Sequence, residues 1–175
     1  MPIRSLIRTI PDYPKQGIQF RDVTTLLADP DGLKMTVDRM VEKLGGVPID
    51  TVAGIEARGF ILAPAIALHL GVGFVPVRKP GKLPAETIGE DYDLEYGTDR
   101  VEIHTDAIKP GQNVLLVDDL IATGGTAGAA IRLIERAGGK IAVCAFIVDL
   151  PDLGGGQKLL DAGHSFFALC AFEGE

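Results

Sequence analysis

Residues 114–126 read Val114-Leu115-Leu116-Val117-Asp118-Asp119-Leu120-Ile121-Ala122-Thr123-Gly124-Gly125-Thr126. The opening apolar run does not alternate, which predicts a strand over residues 113–117 that is buried on both faces. Such a strand belongs in a parallel sheet covered by helices. It ends in two acids, passes through a turn of small residues and enters a helix expected over residues 126–137. Ala130, Ile131, Ile134 and Ala137 share one stripe of that helix, and Gly138-Gly139 closes it.

The same alternation continues outward. Upstream, Leu33, Val37, Met40, Val41 and Leu44 recur at helical spacing over residues 30–46, with Asp29 or Asp31 as the cap and Gly45-Gly46 as the stop. A strand is expected over residues 51–55, an apolar helix over 59–70 ended by Gly71, and a strand over 74–77. Downstream come a strand over 141–148, a short helix over 156–162 and a last strand over 166–171. Strands alternating with helices imply right-handed crossovers, hence an α/β fold with an open, mostly parallel twisted sheet flanked by helices.

Two stretches break the pattern. Residues 1–28 carry Pro2, Pro11, Pro14 and Gly17 and read as a packed extension outside the main sheet. Residues 79–99 are polar and rich in proline and glycine, and read as a long loop leaving the carboxyl end of the 74–77 strand. Ligands in open α/β sheets bind beyond those carboxyl ends, so the loop is placed to act as a flexible lid.

Composition narrows the function. The chain has 175 residues, 46% hydrophobic and 23% charged, which suits a single globular domain. A net charge of −7 argues against general nucleic-acid binding, so an anionic substrate needs a local site. Cys144 and Cys170 lie in apolar runs and read as buried thiols of a reducing compartment. No apolar run approaches the ~20 residues of a membrane span, and no leader pattern opens the chain, so the expectation is a cytoplasmic protein without a membrane partner. His69, His104 and His164 lack zinc-ligand spacing, and no protein-held metal is expected.

The chemistry concentrates in the quoted segment. Gly124 and Gly125 let backbone N–H groups approach an anion, Thr123 and Thr126 add hydroxyls, and the helix behind presents its positive end. Asp118 and Asp119 can accept hydrogen bonds from a sugar diol. A phosphate cradle beside a diol acceptor suits a ribose 5-phosphate, and Mg²⁺ can join through oxygen ligands. Gly139-Lys140 and Gly81-Lys82 lack the remainder of a P-loop, and Gly71-Val72-Gly73 precedes a strand where a dinucleotide fingerprint should follow one.

The 114–126 segment resembles the phosphoribosyl-pyrophosphate motif of the type I phosphoribosyltransferases. Phe20-Arg21-Asp22, Glu56-Ala57-Arg58-Gly59-Phe60, Arg78-Lys79-Pro80-Gly81-Lys82-Leu83-Pro84 and Leu94-Glu95-Tyr96-Gly97 resemble the adenine-specific branch in order and spacing, over most of residues 10–150. The resemblance implies purine salvage: adenine and 5-phosphoribosyl-1-pyrophosphate give AMP and pyrophosphate, with Mg²⁺ on the pyrophosphate. It further implies that Ala122, Thr123, Gly124, Gly125 and Thr126 hold the 5′-phosphate and that Asp118 and Asp119 hold the ribose hydroxyls. Arg58 and Lys82 would face the pyrophosphate. Phe20 would lie on the base with the backbone of Gln19 and Arg21 at its edge, and Glu95, beside Tyr96, would act on purine protons. Arg78 would lie near the interface of a homodimer, and an unusual peptide is expected near Glu56-Ala57. Lys79 reads as a solvated lysine on a mobile loop. The other readings are a phosphoribosyltransferase for guanine, hypoxanthine or xanthine, and a ligand sensor on the same fold; a sensor would need a DNA-reading element that residues 1–28 do not suggest.

Overall fold

The computed structural model describes residues 2–94 and 96–174. In chain order, its elements begin with a short 3-10 turn (Ile3–Leu6), β1 (Arg8–Pro11), β2 (Gln19–Asp22), α1 (Thr24–Ala28) and α2 (Pro30–Leu44). Then come β3 (Thr51–Ile55), α3 (Gly59–Leu70), β4 (Gly73–Val77), β5 (Thr87–Asp93), β6 (Thr98–His104) and β7 (Asn113–Ile121). The chain closes with α4 (Gly125–Arg136), β8 (Lys140–Asp149), a second 3-10 turn (Pro151–Leu153), α5 (Gly155–Asp161) and β9 (Phe166–Ala171).

Five strands form one parallel sheet in the order β4-β3-β7-β8-β9. The unalternating run behaves as its composition demands. Val114 and Leu116 face the core under α4, Leu115 and Val117 face the core under α2 and α3, and all four are fully buried. Each such side chain stabilises the fold by about 1.5–3 kcal/mol. Pro76 lies in β4, the sheet edge, where a missing N–H disrupts least. Helix α2 starts at Asp29, whose carboxylate accepts from the Gly32 N–H at 2.6 Å, and stops at Gly45 with φ +58°.

The register sets up the site. β3 pairs with β7 only as far as Gly54 opposite Val117, whereas β8 accompanies β7 to Ile121 opposite Asp149. β7 therefore runs past its neighbour, and residues 118–121 are strand, not the loop that the sequence suggests. The chain leaves β3 toward β4 and leaves β7 toward β8, so the connections diverge at this point. That is the switch point where open α/β sheets form crevices.

Residues 79–99 are not a continuous loop. They hold β5 and the start of β6, which pair antiparallel from Thr87 opposite His104 to Asp93 opposite Thr98. Arg78 bridges Glu102 through two backbone bonds of 2.9 and 2.8 Å, tying the hairpin to the end of β4. The alternation is present, since Tyr92, Val101 and Ile103 point into the core, but the intervening acids and Gly89 hid it. The Gly89 site is occupied by the Arg100 guanidinium, which an added Cβ would meet at 2.3 Å.

Residues 8–22 form a second, separate hairpin of β1 and β2. Asp22 anchors it: one oxygen takes the Thr24 hydroxyl (2.7 Å) and N–H (2.9 Å), and the other takes the Arg8 guanidinium. Those bonds, led by the Thr24 hydroxyl and then Arg8, pull its carboxyl from 3.8 to about 2. A depressed carboxylate stabilises fully above its unfolded value and loses that contribution as pH falls through its folded value. Asp22→Asn is expected to lower the unfolding free energy by about 1–2 kcal/mol near neutrality. In urea titrations at stepped pH, the gap to the parent should close as pH drops from 3.8 toward about 2.

Candidate active site

A cavity of about 290 Å³ opens at the switch point. Its walls are Glu56, Ala57 and Arg58 after β3, Lys79 after β4, and the continuous run from Asp118 to Ala127 that leads from β7 into α4. The Glu56–Ala57 peptide is cis, matching the expectation of an unusual peptide there. Glycine is required where α3 enters: at Gly59 an added Cβ would meet the Val117 carbonyl at 2.7 Å and the Asp118 carboxylate at 3.3 Å. The N-terminus of α3 thus abuts the twin acids.

The two aspartates face different surroundings. Asp119 is buried and pairs with the Arg58 guanidinium through Nε. Asp118 accepts the Asp119 N–H at 2.9 Å; burial first, and then the Asp119 charge, push its carboxyl well above the ordinary range. The pair therefore keeps a proton to higher pH than two free aspartates would. Burial pulls the Arg58 guanidinium down, but its bond to Asp119 outweighs this, so it stays a firm cation.

Beyond Ile121, the turn delivers Gly124 in the left-handed region (φ +82°) as the N-cap of α4, with no side chain capping it. The first backbone N–H groups of α4 are free to face the cavity, where an anion satisfies them. Behind this turn stands Gly155, whose N–H donates to the Ala122 carbonyl at 2.9 Å. A Cβ there would strike that carbonyl at 2.4 Å and the Gly124 nitrogen at 2.7 Å. The start of α5 is thus a backstop for the turn, a role no local motif announces.

A second cavity, about 330 Å³, adjoins through Thr123, which lines both. Gln19 of β2 lines it, together with Leu150, Leu153 and Phe172.

The phosphoribosyl transferase domain model matches residues 28–162. An adenine phosphoribosyltransferase of Methylobacillus flagellatus is 65% identical over 99% of this chain and 98% of its own. The chain belongs to the adenine phosphoribosyltransferase family. Among solved structures, the Thermoanaerobacter pseudethanolicus enzyme superposes with a TM-score of 0.93 at 48% identity, covering 97% of this chain and 98% of that one. The Saccharomyces cerevisiae enzyme, complexed with D-2,5-dideoxy-2,5-imino-altritol 1,6-bisphosphate and adenine, superposes at 0.89 with 40% identity and 96% coverage of both. The architecture is accordingly the type I phosphoribosyltransferase fold.

Of the residues that the family motifs single out, Arg58, Asp118, Asp119, Ala122, Thr123, Gly124, Gly125 and Thr126 converge on the first cavity. Others lie outside it. Phe20 packs edge-to-face on Tyr13 at 5.2 Å. Arg21 turns away, donating to Thr9 Oγ1 at 2.7 Å with its guanidinium 4.4 Å from the Phe172 ring centre. Arg78 donates to Glu56 Oε1 and to the Lys82 carbonyl at 3.4 and 3.3 Å. Lys82 and Tyr96 are exposed, Tyr96 at the tip of the β5–β6 hairpin. Glu95 lies outside the described residues. Lys79, expected to be solvated, instead lines the cavity and is paired with Asp99; the pairing depends on a strand that the sequence did not disclose. Among the described residues, no three His, Cys, Asp or Glu side chains group to hold a metal.

The backstop can be tested. Gly155→Ala should raise the Kd for ribose 5-phosphate about ten- to a hundredfold by displacing the turn. Gly128→Ala, whose Cβ would meet only Arg132 Nη1 at 3.4 Å, should leave it unchanged. Calorimetric titration of both variants is the measurement.

Proposed function

We propose that this chain makes AMP for purine salvage: it transfers the 5-phosphoribosyl group from 5-phosphoribosyl-1-pyrophosphate to adenine and releases pyrophosphate. The observation that carries the reading is the junction at Thr123, where a carboxylate pair and an open helix start share a wall with a second cavity beside Gln19. A donor sugar and a flat base can meet across that wall.

The 5′-phosphate takes the N–H groups and hydroxyls from Ala122 to Thr126. Asp118 and Asp119 take the ribose hydroxyls, their carboxylate oxygens accepting from the diol. Arg58 and Lys82 take the pyrophosphate, whose departing charge must be met for the anomeric carbon to gain oxocarbenium character. Mg²⁺ would be held mainly through the oxygens of the pyrophosphate, because no three acids of the described residues group to hold it. When bound, Mg²⁺ neutralises part of that leaving group's charge.

Phe20 lies on the purine, and the main chain of Gln19 and Arg21 pairs with N1 and the 6-amino group; residues 1–28 serve as the base-recognition extension. A 6-oxo purine reverses that donor and acceptor order and leaves buried groups unpaired. Residues 79–99 form the lid, with Tyr96 at its tip and Glu95 moving the purine proton. Arg78 lies near the interface of a homodimer, supported by the apolar α3 surface, where Leu68 is 84% and Ile61 49% exposed. The cytoplasm suits the free thiols Cys144 and Cys170, which burial pushes up to about 12 and about 11.

The deciding experiment offers the donor with adenine, guanine, hypoxanthine or xanthine and measures nucleotide formed. Adenine should lead by about a thousandfold or more in kcat/KM; a preference for a 6-oxo purine would remove the reading. Glu95→Gln should cut kcat about a hundredfold with KM nearly unchanged, whereas unchanged turnover would deny Glu95 its proton role. Asp118→Asn with Asp119→Asn should weaken donor binding in calorimetry.

A further inference from the structure

The turn from β7 into α4 is a partition with a cavity on each side. Thr123, Gly124 and Gly125 line the first cavity and also a third one, about 670 Å³, bounded by α4, α5 and β5. Lys158 of α5 lines this third cavity and not the first, and its ammonium donates to the Thr123 carbonyl at 3.1 Å. Among the described residues no carboxylate pairs with it. This is the middle one of three such contacts. The Ala122 carbonyl accepts the Gly155 N–H at 2.9 Å, and the Gly124 carbonyl accepts the Gly128 N–H at 2.9 Å. Three successive peptides of the turn thus have their oxygens engaged by the protein. The Thr123, Gly124 and Gly125 N–H groups of the same three peptides meet no acceptor among the described residues.

We propose that Lys158 is a positioning residue for the 5′-phosphate of the donor: from behind the turn it holds the Thr123 carbonyl so that the Gly124 N–H faces the anion. The inference rests on the turn being the 5′-phosphate site. Its basis is peptide geometry. In a trans peptide the C=O and N–H point to opposite sides, and the cis peptides of the described residues lie elsewhere, at Tyr13-Pro14 and Glu56-Ala57. An oxygen fixed on the reverse side therefore aims its N–H at the front. A carbonyl turned to the front would repel a phosphate, and Gly124, at φ +82°, has the backbone freedom to let that peptide flip. Of the three contacts only this one comes from a side chain, and it alone carries a charge. A cation on the oxygen also polarises the peptide and strengthens its N–H as a donor. Lys158 thus brings positive charge to bear on the phosphate without touching it.

Ribose 5-phosphate titrated into the full-length protein in the calorimeter gives the test. Lys158→Met keeps most of the stem and removes the donor and the charge; it should raise Kd about fivefold, the worth of one hydrogen bond from a charged group at an exposed site. Lys158→Arg, which keeps a charged donor, should hold Kd within about twofold of the parent. KM for the donor should rise in Lys158→Met by the same factor with kcat and KM for adenine nearly constant, because the lost interaction serves ground and transition states alike. Lys158→Ala should reproduce the loss if the methionine variant folds poorly. Unchanged ribose 5-phosphate binding in the methionine and alanine variants, or an arginine variant as weak as the methionine one, would overturn the proposal. Failure of the parent protein to bind ribose 5-phosphate would remove the phosphate assignment and this inference with it. A failed adenine assay with the Kd shifts intact would strike the base assignment alone.

Discussion

β7 outlasts β3 by four residues, and the rest of the site is arranged around that overhang. From Asp118 to Ile121 the strand keeps β8 on one side but has no strand partner on the other. Unpaired strand edges have to be covered or used. Here the free edge meets the Glu56–Arg58 loop and the start of α3, which only Gly59 allows to come so close. The acids therefore sit on strand whose preceding residues are buried on both faces, and their positions inherit the rigidity of the core.

The site also explains how so acidic a chain can receive a phosphorylated substrate. Attraction at long range is not available from a net charge of −7. Local cations stand in the cavity wall instead, Arg58 paired with Asp119 and Lys79 with Asp99. Burial, which raises the Asp118 carboxyl, favours its uncharged form and so lowers the negative charge beside an entering phosphate. Open N–H groups at the start of α4 supply the remaining attraction without any net charge.

What could be read in the sequence follows from range. Val114 to Val117, the Asp29 cap, the Gly45 stop and the turn at Gly124 are each decided by residues within one element, and those elements appear where local patterning puts them. The β5–β6 hairpin was not legible because its inward residues alternate with acids and with Gly89, a position meaningful only once Arg100 is seen lying across it. Lys79 failed for the same reason: its partner Asp99 is in a strand that local reading left as loop. Gly155 carries no local signal, since its demand for a missing Cβ comes from a turn some thirty residues upstream. Pairings made by tertiary approach leave little trace in local periodicity.

Arg21 shows how position and chemistry can separate within one residue. Its guanidinium is committed to Thr9 and the Phe172 ring, away from both cavities described above. Any side-chain replacement there would first loosen the seam between the amino-terminal hairpin and the segment that follows β9. A substitution scan scored by growth would enter position 21 as a selectivity determinant, when what varied was the stiffness of the scaffold behind it.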